Sequence, residues 1–179
     1  MAESSPLQQF DPAELMALLD EAACRKVLGR YGSALDWRDE AALSSIVWPD
    51  AEIDYGFFKG SGEEWVRAFM PIERAAGRPF HIVVCEQLEV RDAYAEAESL
   101  GFSVTRETTA EGGTAVRQYW GRYLDRLEKR GREWRISRRT FIMHGVFDID
   151  LTNAPQGTID GLYVAENLTV DHPMFRAFR

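Results

Sequence analysis

The chain has 179 residues, 45% hydrophobic and 28% charged, the composition of one ordinary globular domain. Its 21 Lys and Arg against 29 Asp and Glu give a net charge of −8, which argues against a general nucleic-acid binder, since that needs a basic face. No apolar run approaches the ~18 residues of a membrane helix, and the opening residues lack the basic and apolar regions of a signal peptide, so a cytoplasmic protein without a membrane partner is expected.

Asp11-Pro12-Ala13-Glu14 reads as a helix start, with Asp11 as N-cap and Pro12 at the first helical position. Apolar residues follow at Leu15, Leu18, Leu19, Ala22, Ala23, Val27, Leu28, Tyr31 and Leu35, offsets of three and four that mark an amphipathic helix. Gly29 and Gly32 weaken its far end, where a break is expected. A short helix over 38–47 stops at Pro49. Residues 51–55 alternate as a short strand, and Ser61-Gly-Glu-Glu64 opens a third helix with Trp65, Val66, Phe69 and Ile72 on its apolar face. Four long strands follow over 80–90, 94–106, 115–127 and 134–147, separated by turn residues. Cys24 and Cys85 lack metal-ligand spacing and read most simply as two buried thiols.

Helices grouped ahead of an antiparallel meander indicate an α+β fold. A curved sheet wrapped over helices would enclose a small-molecule pocket. Phosphate loops, dinucleotide fingerprints, His-Glu-x-x-His and nucleophile-elbow motifs are absent from the sequence, and neither a cofactor nor a metal is expected. Asp36 ends the first helix on its apolar side, while Asp39 is better placed to cap the second helix. Asp36 is therefore either a solvated cap or a buried carboxylate in need of a partner. His81, at the start of the first long strand, is either a satisfied core histidine or, paired with a buried Asp, half of an acid–base unit. Alternation turns one of Arg138 and Arg139 inward, either into a salt bridge or onto an anion. Tyr31, Tyr55 and Tyr119 are candidate pocket phenols, and His144 a candidate pocket imidazole.

The stretch Arg30-Tyr-Gly-Ser-Ala-Leu-Asp36-Trp-Arg-Asp39, with Ala42-Leu43, Trp48-Pro49-Asp50-Ala51, Phe80-His81 and Trp134-Arg-Ile-Ser-Arg-Arg139, resembles SnoaL-like proteins of the nuclear transport factor 2-like superfamily. The resemblance implies a cone-shaped α+β barrel over 11–147, three N-terminal helices packed in a strongly curved antiparallel sheet. It leaves 148–179 as an extension expected to pack on the pocket mouth or a subunit interface. Within the superfamily the landmarks are most similar to scytalone dehydratase and hexachlorocyclohexane dehydrochlorinase. That similarity implies a cofactor-free lyase with Asp36 and His81 as catalytic pair, Arg139 as pocket arginine and a small hydrophobic or aromatic substrate. A homo-oligomer, dimer or trimer, is implied as well. The Tyr that precedes the Asp in the dehydratase is Leu35 here. Deformylating lyases of diarylpropanoids, isomerases or cyclases, and non-catalytic binding modules are the alternatives that the superfamily leaves open.

Overall fold

The computed structural model describes residues 11–109, 112–151 and 168–177. Helices α1 (Pro12–Asp36), α2 (Glu40–Ser45) and α3 (Gly62–Ala75) precede or interleave with strands β1 (Val47–Asp54) and β2 (Lys59–Ser61). The long strands β3 (Gly77–Arg91), β4 (Tyr94–Thr108), β5 (Thr114–Arg130) and β6 (Glu133–Asp150) follow. They form one six-stranded sheet in the order β2-β1-β6-β5-β4-β3, with β1 parallel to β6 and the other neighbours antiparallel. The sheet curls without closing, and α1 and α3 pack in its concave face.

The capping residues act as the sequence predicts. Asp11 accepts from the Ala13 amide, and Asp39 from the Ala42 amide. Ser61 and Glu64 form a reciprocal capping box at the start of α3. The expected break at Gly29 and Gly32 does not occur, and α1 runs unbroken for 25 residues. Its packing is narrower than the apolar stripe suggests. Leu15, Leu18 and Leu19 are exposed, and the buried face starts at Cys24 and continues through Val27, Leu28, Tyr31, Ala34 and Leu35. On α3 the buried residues are Trp65, Val66, Phe69, Met70 and Glu73, with Ile72 exposed.

Bulges set which side chains enter the core. On β6, Trp134 and Ile136 point inward, so strict alternation would bury Arg138. The register shifts by one residue at Ser137, between the pairs Leu127–Ile136 and Arg126–Arg138. Inward parity therefore passes to Arg139, which is 1% exposed, while Arg138 reaches outward to Glu52 at 2.8 Å. A second shift, between Trp120–Gly145 and Gly121–Met143, makes His144 the extra residue of a bulge. His144 is exposed.

The facing pair Gly101 and Gly121 leaves room for rings to lie on the sheet. A Cβ at Gly101 would meet the Tyr123 ring at 2.5 Å, and one at Gly121 the Phe141 ring at 2.2 Å. Among the described residues no helix is long and apolar enough to cross a membrane.

Candidate active site

The concave side of the sheet and the two helices enclose a cavity of about 660 Å³, within the about 300–1,000 Å³ common for small-molecule sites. Its aromatic wall is Tyr31 from α1, Tyr55 and Phe57 after β1, Phe69 from α3, Tyr123 from β5 and Phe141 from β6. Ser103, Thr105, Arg106, Glu107 and Tyr119 supply polar groups from β4 and β5. His81 and Glu73 face the cavity from β3 and α3.

Gly32 brings the first functional pair together. A Cβ there would stand 3.2 Å from the His81 carbonyl oxygen and 3.3 Å from the His81 Cβ, so the bare glycine lets α1 lie directly on β3. Asp36 is one helical turn further along the same face. Its Oδ1 lies 2.8 Å from His81 Nδ1, and its Oδ2 accepts from the His81 backbone amide at 3.3 Å. The two side chains are 18% and 8% exposed. With the ring proton on Nδ1 donated to Asp36, Nε2 keeps its lone pair on the opposite side of the imidazole, the arrangement of an oriented general base. His81 lies five residues into its strand rather than at the start, because β3 begins at Gly77.

A second polar group sits behind the aromatic wall. Arg139 Nε and Nη2 donate to the two carboxylate oxygens of Asp125 at 2.7 and 2.8 Å. Its guanidinium carbon lies 4.3 Å from the Tyr31 ring centre and 4.6 Å from that of Tyr123. Burial alone would lower the Arg139 pKa, but the Asp125 carboxylate outweighs it and holds the guanidinium charged. The hydroxyls of Tyr31 and Tyr55 are 3.1 Å apart. Burial raises the pKa of Tyr31, Tyr55 and Tyr123, so all three remain neutral phenols that can donate.

Asp36, His81, Tyr31, Tyr55 and Tyr119 of the sequence-predicted residues thus gather in or beside the cavity. Arg139 does not line it and meets it only through Tyr31 and Tyr123. His144, exposed on its bulge, is not among the lining residues. The sequence reading missed Glu73. Its signal was its place at the end of the Trp65, Phe69, Glu73 series, two apolar core positions four apart and then an acid on the same helix face. Glu73 is 9% exposed, and its Oε2 is buried without a hydrogen-bond partner. Burial is the largest influence and raises its pKa; His81 opposes this, the charge of Asp36 adds to it, and Arg38 lowers it least.

Arg38 braces this end of the site. It donates to the Glu73 and Ala76 carbonyls at the end of α3, at 3.1 and 3.0 Å, and to the Leu168 carbonyl at 2.6 Å. Trp37 meets the rings of His172 and Phe175 at 5.7 and 5.4 Å. The described end of the C-terminal extension is therefore seated against α1 beside Asp36. Residues 152–167 of that extension lie outside the described residues. No group of three or more His, Cys, Asp or Glu that could hold a metal occurs among the described residues.

The chain matches the SnoaL-like domain family over residues 16–140 and belongs to it. No curated protein matches the sequence. Among solved structures, a type 2 hexachlorocyclohexane dehydrochlorinase superposes with a TM-score of 0.69 at 18% identity, covering 83% of this chain and 99% of that one. The type 3 enzyme of Novosphingobium barchaimii LL02 gives 0.67 at 20% identity, covering 82% and 98%. A protein of Novosphingobium aromaticivorans DSM 12444 that carries the name scytalone dehydratase gives 0.64 at 18%, covering 74% and 89%. These likenesses establish the nuclear transport factor 2-like fold; at such identities the chemistry has to be argued from this chain's own residues.

Proposed function

We propose that the protein is a cofactor-independent lyase acting on a small hydrophobic, aromatic substrate. His81, oriented by Asp36, removes a proton next to the leaving group, and Asp36 stabilises the imidazolium that forms. The carrying observation is the 2.8 Å Asp36–His81 contact on an otherwise aromatic cavity. A binding pocket gains little from an acid–base pair held in this way. Tyr31 and Tyr55 donate to a substrate oxygen, and the charged Arg139 behind Tyr31 and Tyr123 makes those phenols better donors without touching the substrate. The names dehydrochlorinase and dehydratase, carried by two of the similar structures, are those of eliminating enzymes, the reaction class proposed here.

The test is a screen of aromatic diols, hydroxylated polyketide-like compounds and diarylpropanoids, read for loss of water and for formaldehyde. Release of formaldehyde would move the proposal to C–C cleavage begun by the same base. On any substrate found, His81→Ala and Asp36→Asn should each lower turnover by ~10²–10⁴-fold. The double variant should cost little more than either single one, because groups acting as a unit are not additive. Near-normal turnover of His81→Ala would refute the mechanism.

A further inference from the structure

The cavity holds a third titratable group that the base and its orienting carboxylate leave unused. We propose that Glu73 is the proton donor of this site, a carboxylic acid that hands its proton to a departing oxygen, so that the pocket is built for an alcohol whose leaving group is hydroxyl. The inference rests on the lyase reading above and narrows its substrate to compounds that lose water rather than halide.

Four observations carry it. Glu73 faces the cavity that His81 faces, from α3 rather than β3. Its Oε2 is buried and makes no hydrogen bond, although a carboxylate kept for structure would take one. The neighbouring Arg38 donates to the Glu73 backbone oxygen instead of the carboxyl, which fixes the residue and leaves Oε2 without a hydrogen bond among the described residues. Burial, the largest influence, raises the Glu73 pKa; His81 opposes it, the Asp36 charge adds to it and Arg38 lowers it, with the net direction upward.

The charged and titratable groups around it are Asp36 and Arg38 at the end of α1, His81 on β3, Arg106 and Glu107 on β4, and the phenols of Tyr31, Tyr55, Tyr119 and Tyr123. The phenols stay neutral. Asp36 and His81 act on Glu73 in opposite senses, and this couples the two proton transfers. Burial and the Asp36 charge strengthen the hold of Glu73 on its proton. Once His81 has taken the substrate proton, the imidazolium favours the Glu73 carboxylate and makes the acid stronger in the same step.

The step balances. His81 takes the proton from one carbon, and the C–H electron pair becomes the new C=C bond. The adjacent C–O bond breaks with its electrons on oxygen. The Glu73 proton goes to that oxygen, and water leaves. The enzyme is left as imidazolium and carboxylate, and transfer of one proton from His81 to Glu73, directly or through the released water, restores the resting state. A halide leaves as an anion and needs no such donor.

Two measurements test the proposal. In the infrared, the wild-type protein at neutral pH should show the C=O stretch of a protonated carboxyl that shifts in deuterated water and is missing from Glu73→Gln. Absence of a band that Glu73→Gln removes overturns the proposal, whether or not a substrate is known. In turnover, the probes are 4-hydroxy-4-phenylbutan-2-one and its 4-chloro analogue, which differ only in the leaving group. Glu73→Gln should lower the hydroxyl reaction by ~10²–10⁴-fold and the chloride reaction by at least tenfold less. Equal losses on both probes, or no loss on the hydroxyl probe, overturn the proposal. His81→Ala should lower both reactions by ~10²–10⁴-fold. If it spares them, the base assignment falls while the Glu73 result stands on its own, so the two failures are separable.

Discussion

Replacing Gly32 by Ala should separate activity from stability. The new Cβ would stand 3.2 Å from the His81 carbonyl oxygen and 3.3 Å from its Cβ, closer than ordinary van der Waals contact. The obstacle is strand backbone, so relief requires α1 to lift from β3 by a few tenths of an ångström. Asp36 rides on the same face of that helix. Its 2.8 Å contact to Nδ1 would lengthen, and its 3.3 Å contact to the amide, already long, would be lost. A 1 Å misplacement can cost ~10²-fold, so a third of that displacement should cost roughly three- to tenfold, about 0.6–1.4 kcal/mol in the barrier. The helix itself should gain, since Ala exceeds Gly by about 0.5–1 kcal/mol in a helix interior, and this offsets the crowding. The control is Gly29→Ala, three residues earlier in the same helix, where nothing lies within 4 Å of the added Cβ. That variant should be stabilised with turnover intact. Thermal melts, turnover and the imidazole N–H resonance of His81 in proton NMR check the outcome. If Gly32→Ala shifts neither turnover nor that resonance, close helix–strand contact is not what sets the pair.

Two further substitutions probe the frame around the cavity. Asp125→Ala strands the guanidinium of Arg139, which is 1% exposed, and should destabilise the fold by about 3–5 kcal/mol in chemical denaturation. Pairing it with Arg139→Met should recover much of that loss, and a single-variant cost below about 1 kcal/mol would show that water or another acid replaces Asp125. Arg38→Ala removes a charged donor from three backbone carbonyls and should cost about 1.5–3 kcal/mol. It should also speed proteolytic cleavage within 168–177, and an unchanged cleavage rate would mean that the Trp37 ring contacts hold the segment alone.

Local signals were legible in the sequence wherever the chain settles them locally. Asp11, Asp39 and the Ser61–Glu64 box announced helix starts, and turn residues marked off the four long strands. Parity was not legible, because a bulge is a decision of two strands together. Reading inward from Trp134 and Ile136 selects Arg138, and only the register slip at Ser137 hands the core to Arg139. His144 was misplaced from the cavity for the same reason, since it is the unpaired residue of the next bulge. Gly32 looked like a weakness in a helix. Its use depends on His81, 49 positions later in a strand, whose approach has no trace in the residues around the glycine. Strand β2 is three residues long, and the parallel pairing of β1 with β6 joins segments at opposite ends of the domain, contacts that short windows of sequence do not encode.

The division of charge inside the sheet limits where the chemistry can take place. Asp125 and Arg139 neutralise each other beneath the aromatic wall, so this buried pair is fixed and gives the substrate no proton. The phenols of Tyr31, Tyr55 and Tyr123 are pushed up by burial and hold their protons near neutral pH; they orient by donating and cannot act as bases there. On the proposed mechanism, proton exchange falls to His81, with Asp36 behind it, and to Glu73 on α3. A substrate oriented by the phenols must then present its acidic C–H toward β3 and its leaving group toward α3. A base on β3 and a proton donor on α3 that flank the substrate would take the two groups from opposite sides of the forming double bond, as an anti elimination requires. A substrate of fixed configuration labelled with deuterium at one face of the acidic carbon reports it directly. Anti loss of the label fits the β3–α3 division, and syn loss would put the base and the proton donor on one wall.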